Sequence, residues 1–374
     1  MYGMKMTGLG IRLPRRLVTN EMVVEDLRRR REEVKARFGL SADDPRLQQF
    51  DTDLQWLSER TGTRDRYLAD PSEATSDLGL GAAEAAVAQS GLPKEKIEFV
   101  VFATVTPDHH ASPATAHIVQ EKLGIRTREP GEFGKILRDV ECFDLTKACC
   151  SFPALLQVAY ALIRSDLYAA GLVIGADTNS RIVNPNDRGF FPLMGDVGTC
   201  VVVERTSLEK DQFGLKNFLG GSDGSLAELV QIPAGGSRLA LTSEMLADPF
   251  DRRDTLRMDG GRVLKLMGRL IPEIIERALV KMGWKLKDIR EIIHLLLLHQ
   301  ANDRITVVSM DKIGCLDLAS RTIEKYGNTT SAGYLLAYAD AIARGVLKDG
   351  DRCMMVGFGG GVGWNTVIFT HRAF

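Results

Sequence analysis

Short apolar runs recur along the chain and predict buried β-strands. They span residues 97–105, 169–176, 199–204, 291–298 and 352–359, and turn residues bound each of them. Continuous apolar runs of this length suit strands that are covered on both faces. Segments with helical spacing lie between them, at residues 114–124, 154–164, 261–283 and 334–345. Alternating strands and helices predict an α/β layered fold.

The chain also resembles itself when it is shifted by about 180 residues. The stretch "ACCSFPALLQVAYALIRS" from Ala148 aligns with "NTTSAGYLLAYADAIARG" from Asn328, and residues 95–106 align with residues 287–300 in the same order. Two ordered pairs favour duplication over a chance likeness of alanine-rich helices. We therefore expect two halves, 1–205 and 206–374, that form a five-layered α/β/α/β/α sandwich. The repeated helices are apolar nearly all round, as its central layer requires.

Composition and charge exclude several classes of protein. The chain has 374 residues, of which 44% are hydrophobic, so it can bury a large core. Its 48 basic and 49 acidic residues give a net charge of -1, so no global field draws it to nucleic acid or to an anionic membrane. The longest apolar run, residues 292–298, is too short to cross a bilayer. We expect a cytosolic protein, with a solvated helix and loop at the charged residues 27–49.

Two adjacent cysteines occupy a corner between a strand and a helix. Cys149 and Cys150 follow an extended segment and precede Pro153, which fits the first turn of a helix. Unpaired N–H groups at a helix start favour an anion, so we expect a thiol with a lowered pKa and a nucleophilic role.

The other thiols have simpler interpretations. We expect Cys142, Cys200, Cys315 and Cys353 to lie in the core. No C-x-x-C spacing occurs, so a disulfide scaffold is not expected. A metal site of Cys142, Cys149, Cys150 and a histidine is an alternative, but adjacent cysteines rarely fit tetrahedral spacing.

Further polar groups are expected near this corner. Asn328 occupies the equivalent turn of the second half, so pseudo-symmetry would bring it to Cys149. His299 directly follows four leucines of a predicted strand, where sites on α/β sheets tend to lie. The glycine-rich residues 357–363 would let backbone N–H groups approach a substrate.

Four stretches carry a resemblance to a known family. "FDLTKACCSF", "HQANDRI", "GNTTSAG" and "GFGGGVGWN" together resemble the β-ketoacyl-acyl-carrier-protein synthase III family of the thiolase superfamily. The likeness covers nearly the whole chain, apart from the charged segment and a loop near residues 126–139. It implies the thiolase fold and an acyltransferase.

The resemblance also implies roles for the site residues. Cys149 would accept an acyl group from an acyl-coenzyme A, while His299 and Asn328 polarise a second thioester and stabilise its enolate. The N–H groups of Cys149 and Gly360 would meet the oxyanion. The likeness implies no metal or redox cofactor, acyl-coenzyme A serving as a substrate.

Binding contacts follow from the same resemblance. Trp56 and Arg188 would sandwich the coenzyme A adenine. Lys265 and Arg304 would bind the acidic acyl carrier protein. A homodimer is also implied.

The sequence departs from the family at several positions around the site. Lys147 stands two positions before Cys149, and we expect its ammonium either to lower the thiol pKa or to point to solvent. The other departures are Cys150 and Ser151 for the usual Ala-Gly, Ser112 for phenylalanine, Val362 and Gly363 for larger residues, and Tyr326 for histidine. They leave open whether the chain serves fatty-acid initiation or a specialised pathway, and the acyl pocket is expected to accept a different or larger group.

The leading interpretation is a decarboxylative Claisen condensation with malonyl carrier protein or malonyl-coenzyme A. One alternative keeps the acyl-cysteine but transfers the acyl group to a hydroxyl or amine, or condenses two acyl-coenzyme A molecules without decarboxylation. A non-catalytic partner subunit is an alternative of another class, and the intact set of Cys149, His299 and Asn328 argues against it.

Overall fold

The computed structural model describes residues 1–131 and 134–374. The α-helices in these ranges are α1 (Asn20–Phe38), α2 (Leu54–Thr61), α3 (Thr75–Ser90), α4 (Thr115–Lys122), α5 (Ser151–Arg164), α6 (Ser243–Ala247), α7 (Gly260–Lys281), α8 (Ile289–Ile292), α9 (Asp303–Asp311), α10 (Ile323–Tyr326) and α11 (Gly333–Ala343). The β-strands are β1 (Gly3–Arg12), β2 (Arg16–Thr19), β3 (Asp65–Leu68), β4 (Phe99–Ala103), β5 (Glu141–Leu145), β6 (Ala170–Asp177), β7 (Val197–Thr206), β8 (Phe218–Ser222), β9 (Val230–Gln231), β10 (Arg257–Met258), β11 (Leu295–Leu298), β12 (Arg352–Gly359) and β13 (Gly363–Thr370).

Two mixed sheets form the framework. The first has the strand order β1-β7-β6-β4-β5, with β4 parallel to both β5 and β6. The second has the order β11-β12-β13-β8, with β11 parallel to β12. The first sheet draws its strands from residues 3–206 and the second from residues 218–370. The division of the chain near residue 205 stays a prediction.

Helices cover both sheets and fill the space between them. Helices α3 and α4 pack on the outer face of the first sheet, and α7 packs on the outer face of the second. Helices α5 and α11 contact strands of both sheets, and their apolar side chains belong to one central core. The five-layered α/β/α/β/α architecture predicted from the repeat is confirmed. It buries α5 and α11 in the middle, so the turns before them meet inside the molecule.

The predicted elements agree with the structure except at one strand. Residues 291–298 were expected to be extended, but α8 ends at Ile292 and β11 begins only at Leu295. Ile289 and Ile293 are 2% and 0% exposed, so this short turn buries an apolar face at helical spacing. An apolar run of this length does not distinguish a strand from a helical turn.

The charged segment 27–49 contains a helix and a loop. Helix α1 ends at Gly39, whose φ of 61° gives the left-handed conformation common at helix ends. Leu27 on its inner face is buried, while Arg29 and Arg30 pair with Asp26 on its surface. The segment therefore packs by one apolar edge and leaves its charges in solvent.

Candidate active site

A short turn carries the two cysteines from β5 to α5. Ala148 has a φ of 48°, which costs a residue with a Cβ about 1–2 kcal/mol. The N–H of Lys147 donates to the Ser151 hydroxyl at 2.7 Å, and that hydroxyl donates to the Ala148 carbonyl at 2.6 Å. The N–H of Cys150 donates to the Lys147 carbonyl at 3.1 Å. This network holds the turn in a conformation that projects Cys149.

The two thiols face different surroundings. Cys150 is fully buried, and its thiol donates to the Gly363 carbonyl at 3.1 Å. Cys149 is partly exposed, and the backbone N–H groups of Cys149 and Gly360 act to lower the pKa of its thiol. These are the two N–H groups that the family resemblance implied as an oxyanion hole, and that role stays a prediction. The geometry of the structure favours Cys149, not Cys150, as the nucleophile.

The expectation of a readily ionised Cys149 is wrong. Burial raises the pKa of its thiol to about 12, and the nearby Asp177 carboxylate raises that pKa further. The N–H groups of Cys149 and Gly360 act in the opposite direction but do not offset the loss of solvation. Cys149 is a neutral thiol near pH 7, so its proton must leave as the new bond forms.

His299 lies where β11 ends and is almost fully buried. The backbone N–H of His299 donates to the Val356 carbonyl at 3.0 Å, which fixes the backbone at this position. Its Nδ1 has no hydrogen-bond partner among residues 1–131 and 134–374. Burial lowers the pKa of the imidazole to about 3, so the ring is neutral at physiological pH. A neutral ring can donate one hydrogen bond to a substrate oxygen.

Asn328 is held on both sides of its amide. The side-chain Oδ1 accepts from the Thr330 N–H at 3.0 Å, and the Nδ2 donates to the Ala301 carbonyl at 3.3 Å. The N–H of Ala301 donates in turn to the His299 carbonyl at 2.9 Å. Asn328 and His299 therefore share a backbone neighbour.

Cys149 reaches the same region through two neighbours. The Tyr334 hydroxyl donates to the Cys149 carbonyl at 2.8 Å, and the tyrosine ring lies 6.3 Å from the His299 ring. The Phe358 ring lies 5.1 Å from the His299 ring, and a Cβ at the next residue, Gly359, would come within 2.8 Å of the Cys149 nitrogen. Tyr334 and Phe358 thus link the Cys149 turn to His299, as Ala301 links His299 to Asn328.

Asp177 is a residue of this region that the sequence reasoning missed. It is fully buried at the end of β6, and it accepts from the Thr104 hydroxyl at 2.9 Å and the Val105 N–H at 2.8 Å. The hydroxyls of Thr330 and Ser331 donate to its other oxygen. This carboxylate ties the turn beside Asn328 to the first sheet. Asp177 directly follows the apolar run 169–176 in the sequence, as His299 follows four leucines, and this position was the signal that could have identified it.

Comparisons with known proteins identify the family. The family model described as 3-oxoacyl-[acyl-carrier-protein (ACP)] synthase III matches residues 143–224, and the model for the C-terminal part of that synthase matches residues 279–371. A β-ketoacyl-[acyl-carrier-protein] synthase III of Streptomyces coelicolor is 35% identical over 98% of this chain and 97% of its own length. The chain belongs to the β-ketoacyl-acyl-carrier-protein synthase III family. It is an acyltransferase of the condensing type.

Other relatives of this synthase III agree. The β-ketoacyl-[acyl-carrier-protein] synthase III of Solibacter usitatus is 36% identical over 83% of this chain and 88% of its own length. The crystal structure of 3-oxoacyl-(acyl carrier protein) synthase III from Pseudomonas aeruginosa is similar with a TM-score of 0.79 at 30% identity, covering 100% of this chain and 99% of that chain. The predicted thiolase fold is confirmed.

The residues expected to hold coenzyme A lie together. The Arg188 guanidinium carbon lies 4.8 Å from the centre of the Trp56 ring. The N–H of Arg188 donates to the Gln49 carbonyl at 2.9 Å, and its guanidinium donates to the Asp51 carbonyl. The two side chains stack on each other, so an adenine could enter between them only if Arg188 moved away from Trp56.

The two basic residues expected to bind a carrier protein are both exposed. Lys265 lies on α7 and Arg304 on α9, and these helices pack against each other. Lys265 lines a shallow groove with Arg262 and Arg269, beside Leu266 and Leu270. The groove combines three basic side chains and the acidic Glu273 with apolar contacts.

Three of the departures from the family pattern are clear in the structure. Ser112 is exposed, whereas Val362 is buried in the apolar core outside the second sheet, so Val362 serves packing. Lys147 was expected to lower the Cys149 pKa or to point to solvent, but it is not among the main groups that shift this pKa, and its ammonium is bonded inside the protein. Its ammonium donates to the Trp364 carbonyl at 3.1 Å and to the Asn365 side chain.

The described residues contain neither a metal-binding cluster nor a membrane-spanning helix. Within residues 1–131 and 134–374, no group of three His, Cys, Asp or Glu side chains has the arrangement of a metal site. Over the same ranges, no helix has both the length and the apolar composition needed to span a bilayer.

Proposed function

We propose that Cys149 takes an acyl group from an acyl-coenzyme A and passes it to a carbanion formed by decarboxylation of a malonyl thioester, on acyl carrier protein or coenzyme A. The observation that carries this proposal is the close approach of the glycine-rich hairpin to the Cys149 turn, where a Cβ at Gly359 would come within 2.8 Å of the Cys149 nitrogen. Membership of the synthase III family supports the same reaction.

Acylation requires one bond to form and one to break. The Cys149 sulfur attacks the thioester carbonyl, and the oxygen becomes an oxyanion that the N–H groups of Cys149 and Gly360 stabilise. The carbon–sulfur bond to coenzyme A then breaks. Because the thiol is neutral, its proton leaves during the attack and ends on the departing coenzyme A sulfur.

Condensation uses the other two side chains. His299 and Asn328 donate hydrogen bonds to the malonyl thioester oxygen, so negative charge can develop there as carbon dioxide leaves. The resulting enolate carbon attacks the acyl carbonyl on Cys149, the carbon–sulfur bond to Cys149 breaks, and the released thiolate takes up a proton from solvent. Since burial keeps His299 neutral, the ring acts as a hydrogen-bond donor without carrying a charge.

Two pairs of side chains would bind coenzyme A and the carrier protein. Trp56 and Arg188 would hold the adenine of coenzyme A between them once Arg188 has moved away from the ring, and their closeness supports this pairing. Lys265 and Arg304 would meet an acidic carrier protein, which their exposure supports. We further propose a homodimer in the cytoplasm, with halves 1–205 and 206–374.

Mass spectrometry of the intact protein tests the proposal. The wild type, Cys149→Ala and Cys150→Ala are incubated with acetyl-, malonyl- and longer acyl-coenzyme A. We expect an acyl adduct that is lost only in Cys149→Ala, and the preferred donor identifies the starter group. No adduct with any donor would overturn the mechanism and favour a non-catalytic partner subunit.

Product analysis then separates the enzymatic alternatives. The acylated protein is supplied with malonyl thioesters, with non-malonyl thioesters, and with hydroxyl or amine acceptors. We expect a 3-oxoacyl product and one carbon dioxide per turnover with the malonyl donor alone. Acyl transfer to a hydroxyl or amine, or condensation without carbon dioxide, would contradict the condensation step while leaving the acyl-cysteine in place.

A further inference from the structure

Lys147 connects the nucleophile turn to the closing hairpin of β12 and β13. Its ammonium donates to the carbonyl of Trp364 at 3.1 Å and to the side-chain oxygen of Asn365. The Asn365 amide donates in turn to the Gln157 side chain at 3.1 Å, on α5. Lys147 and Asn365 together thus join the turn, the hairpin and the central helix.

The lysine stem and Gly363 fit each other. A Cβ at Gly363 would lie 3.3 Å from the Lys147 Cε, which is tighter than an ordinary contact. A larger residue at position 363 would therefore crowd the stem. The lysine and the glycine are two departures from the family pattern, and the structure places them in contact as a matched pair.

The ammonium is a half-buried cation whose two acceptors are both neutral. Burial lowers the pKa of Lys147, so holding a charge here carries a cost. Both acceptors lie on β13, directly after the hairpin turn that carries Gly360. The contact therefore spans the two segments that supply the proposed oxyanion donors.

We propose that Lys147 is a positioning residue that keeps the N–H groups of Cys149 and Gly360 at the separation that the oxyanion requires. The inference rests on the proposed function, since it assumes an acyl group on Cys149. The buried Cys150 thiol, which donates to the Gly363 carbonyl, forms a second and weaker tie between the same segments.

Three variants test this role. Lys147→Met keeps the length of the stem and removes the donors, whereas Lys147→Arg keeps charge and donors. Lys94→Met is the matched control, because the Lys94 ammonium also donates to a backbone carbonyl, that of Leu123 at 2.7 Å. Lys94 lies before β4, outside the site.

The rate of Cys149 acylation is measured by mass spectrometry over time, with the acyl-coenzyme A that the wild type prefers. We expect Lys147→Met to lower that rate roughly tenfold to a hundredfold, the range for a weakened oxyanion donor. Its KM should change little, Lys147→Arg should recover part of the rate, and Lys94→Met should match the wild type.

The infrared spectrum of the acyl enzyme supplies a readout that a general loss of stability does not move. With a carbon-13 label at the acyl carbonyl, its stretching frequency falls as hydrogen bonds to its oxygen strengthen. We expect a higher frequency in Lys147→Met than in the wild type or in Lys94→Met.

The outcomes separate this inference from the function on which it rests. If the wild type forms no acyl adduct, both proposals fall. If the wild type is acylated and Lys147→Met shows the same rate and the same carbonyl frequency, the function stands and the role of Lys147 is overturned. A slowed Lys147→Met with an unchanged frequency also overturns it, because the donors have then not moved.

Discussion

The hydroxyl of Tyr334 donates a 2.8 Å hydrogen bond to the backbone carbonyl oxygen of Cys149. Tyr334 begins the buried helix of the second half, whereas Cys149 precedes the buried helix of the first. One hydrogen bond therefore fixes the nucleophile of one half against the core of the other. Removing its donor is the simplest test of whether this contact matters for catalysis.

Tyr334→Phe should slow acylation of Cys149 and destabilise the fold by about 1–3 kcal/mol, because it leaves a buried carbonyl without a donor. Tyr338→Phe is the matched control, because Tyr338 lies on the same helix as Tyr334 but away from Cys149. Its hydroxyl forms a hydrogen bond with His371 Nδ1 at 2.6 Å. Urea unfolding and acylation kinetics are measured on both. Equal acylation rates in the two variants would show that the contact serves stability alone.

Asp177→Asn should slow condensation of the preformed acyl enzyme. The amide cannot accept all the donors that the carboxylate accepts, so the turn of Thr330 and Asn328 loosens. Asp196→Asn is the control, because Asp196 is equally buried but accepts from Ala69 and Ser180 within the first half. Both changes should lower stability, and only the first should slow carbon dioxide release. A slowed Asp196→Asn would contradict this assignment.

Arg188→Ala should raise the KM for acyl-coenzyme A roughly three- to thirtyfold, the range expected for losing a stacked cation. The KM for the matching N-acetylcysteamine thioester, which lacks adenine, should not change. Arg352→Ala is the control, since Arg352 stacks on Trp284 with the guanidinium carbon 5.5 Å from the ring centre. Equal KM changes for both thioesters would show that Arg188 does not act by binding adenine.

The raised pKa of Cys149 predicts how alkylation depends on pH. Below its pKa of about 12, the thiolate fraction rises about tenfold per pH unit. The rate of reaction with iodoacetamide should therefore keep rising between about pH 6 and pH 9, followed as an adduct that Cys149→Ala lacks. A plateau near pH 7 would show that the helix terminus outweighs burial after all.

His299 should make the fold less stable in acid. Its pKa is about 3 when folded and near 6.5 when unfolded, so the unfolded chain binds an extra proton between those values. Stability is therefore full above about pH 6.5 and falls as pH drops, by about 2 kcal/mol at pH 5. Between pH 7 and pH 5, the wild type should lose that much more unfolding free energy than His299→Gln. Equal losses would contradict a buried neutral histidine.

Much of the site could be predicted from the sequence. The repeat placed Cys149 and Asn328 in equivalent turns, and the buried run before His299 placed that side chain at the end of a strand. Both signals work because strand and helix periodicity is local and a duplicated order of elements is visible in the letters. The same reasoning wrongly assigned residues 291–292 to a strand. A short helical turn and a short strand can both give an apolar run of this length, and here residues 291–292 belong to the helix α8.

The sequence by itself determined the layered α/β architecture, the family and the catalytic candidates, because periodicity, internal repetition and motif spacing are properties of the chain order. Only the tertiary structure decided the ionisation of Cys149, the partners of Lys147 and the hydrogen bonds of Asp177. A pKa depends on how completely a group is desolvated, and a hydrogen bond depends on which distant segments meet. Lys147 and Asn365 are far apart in the chain, and packing of the turn against the hairpin alone brings them into contact.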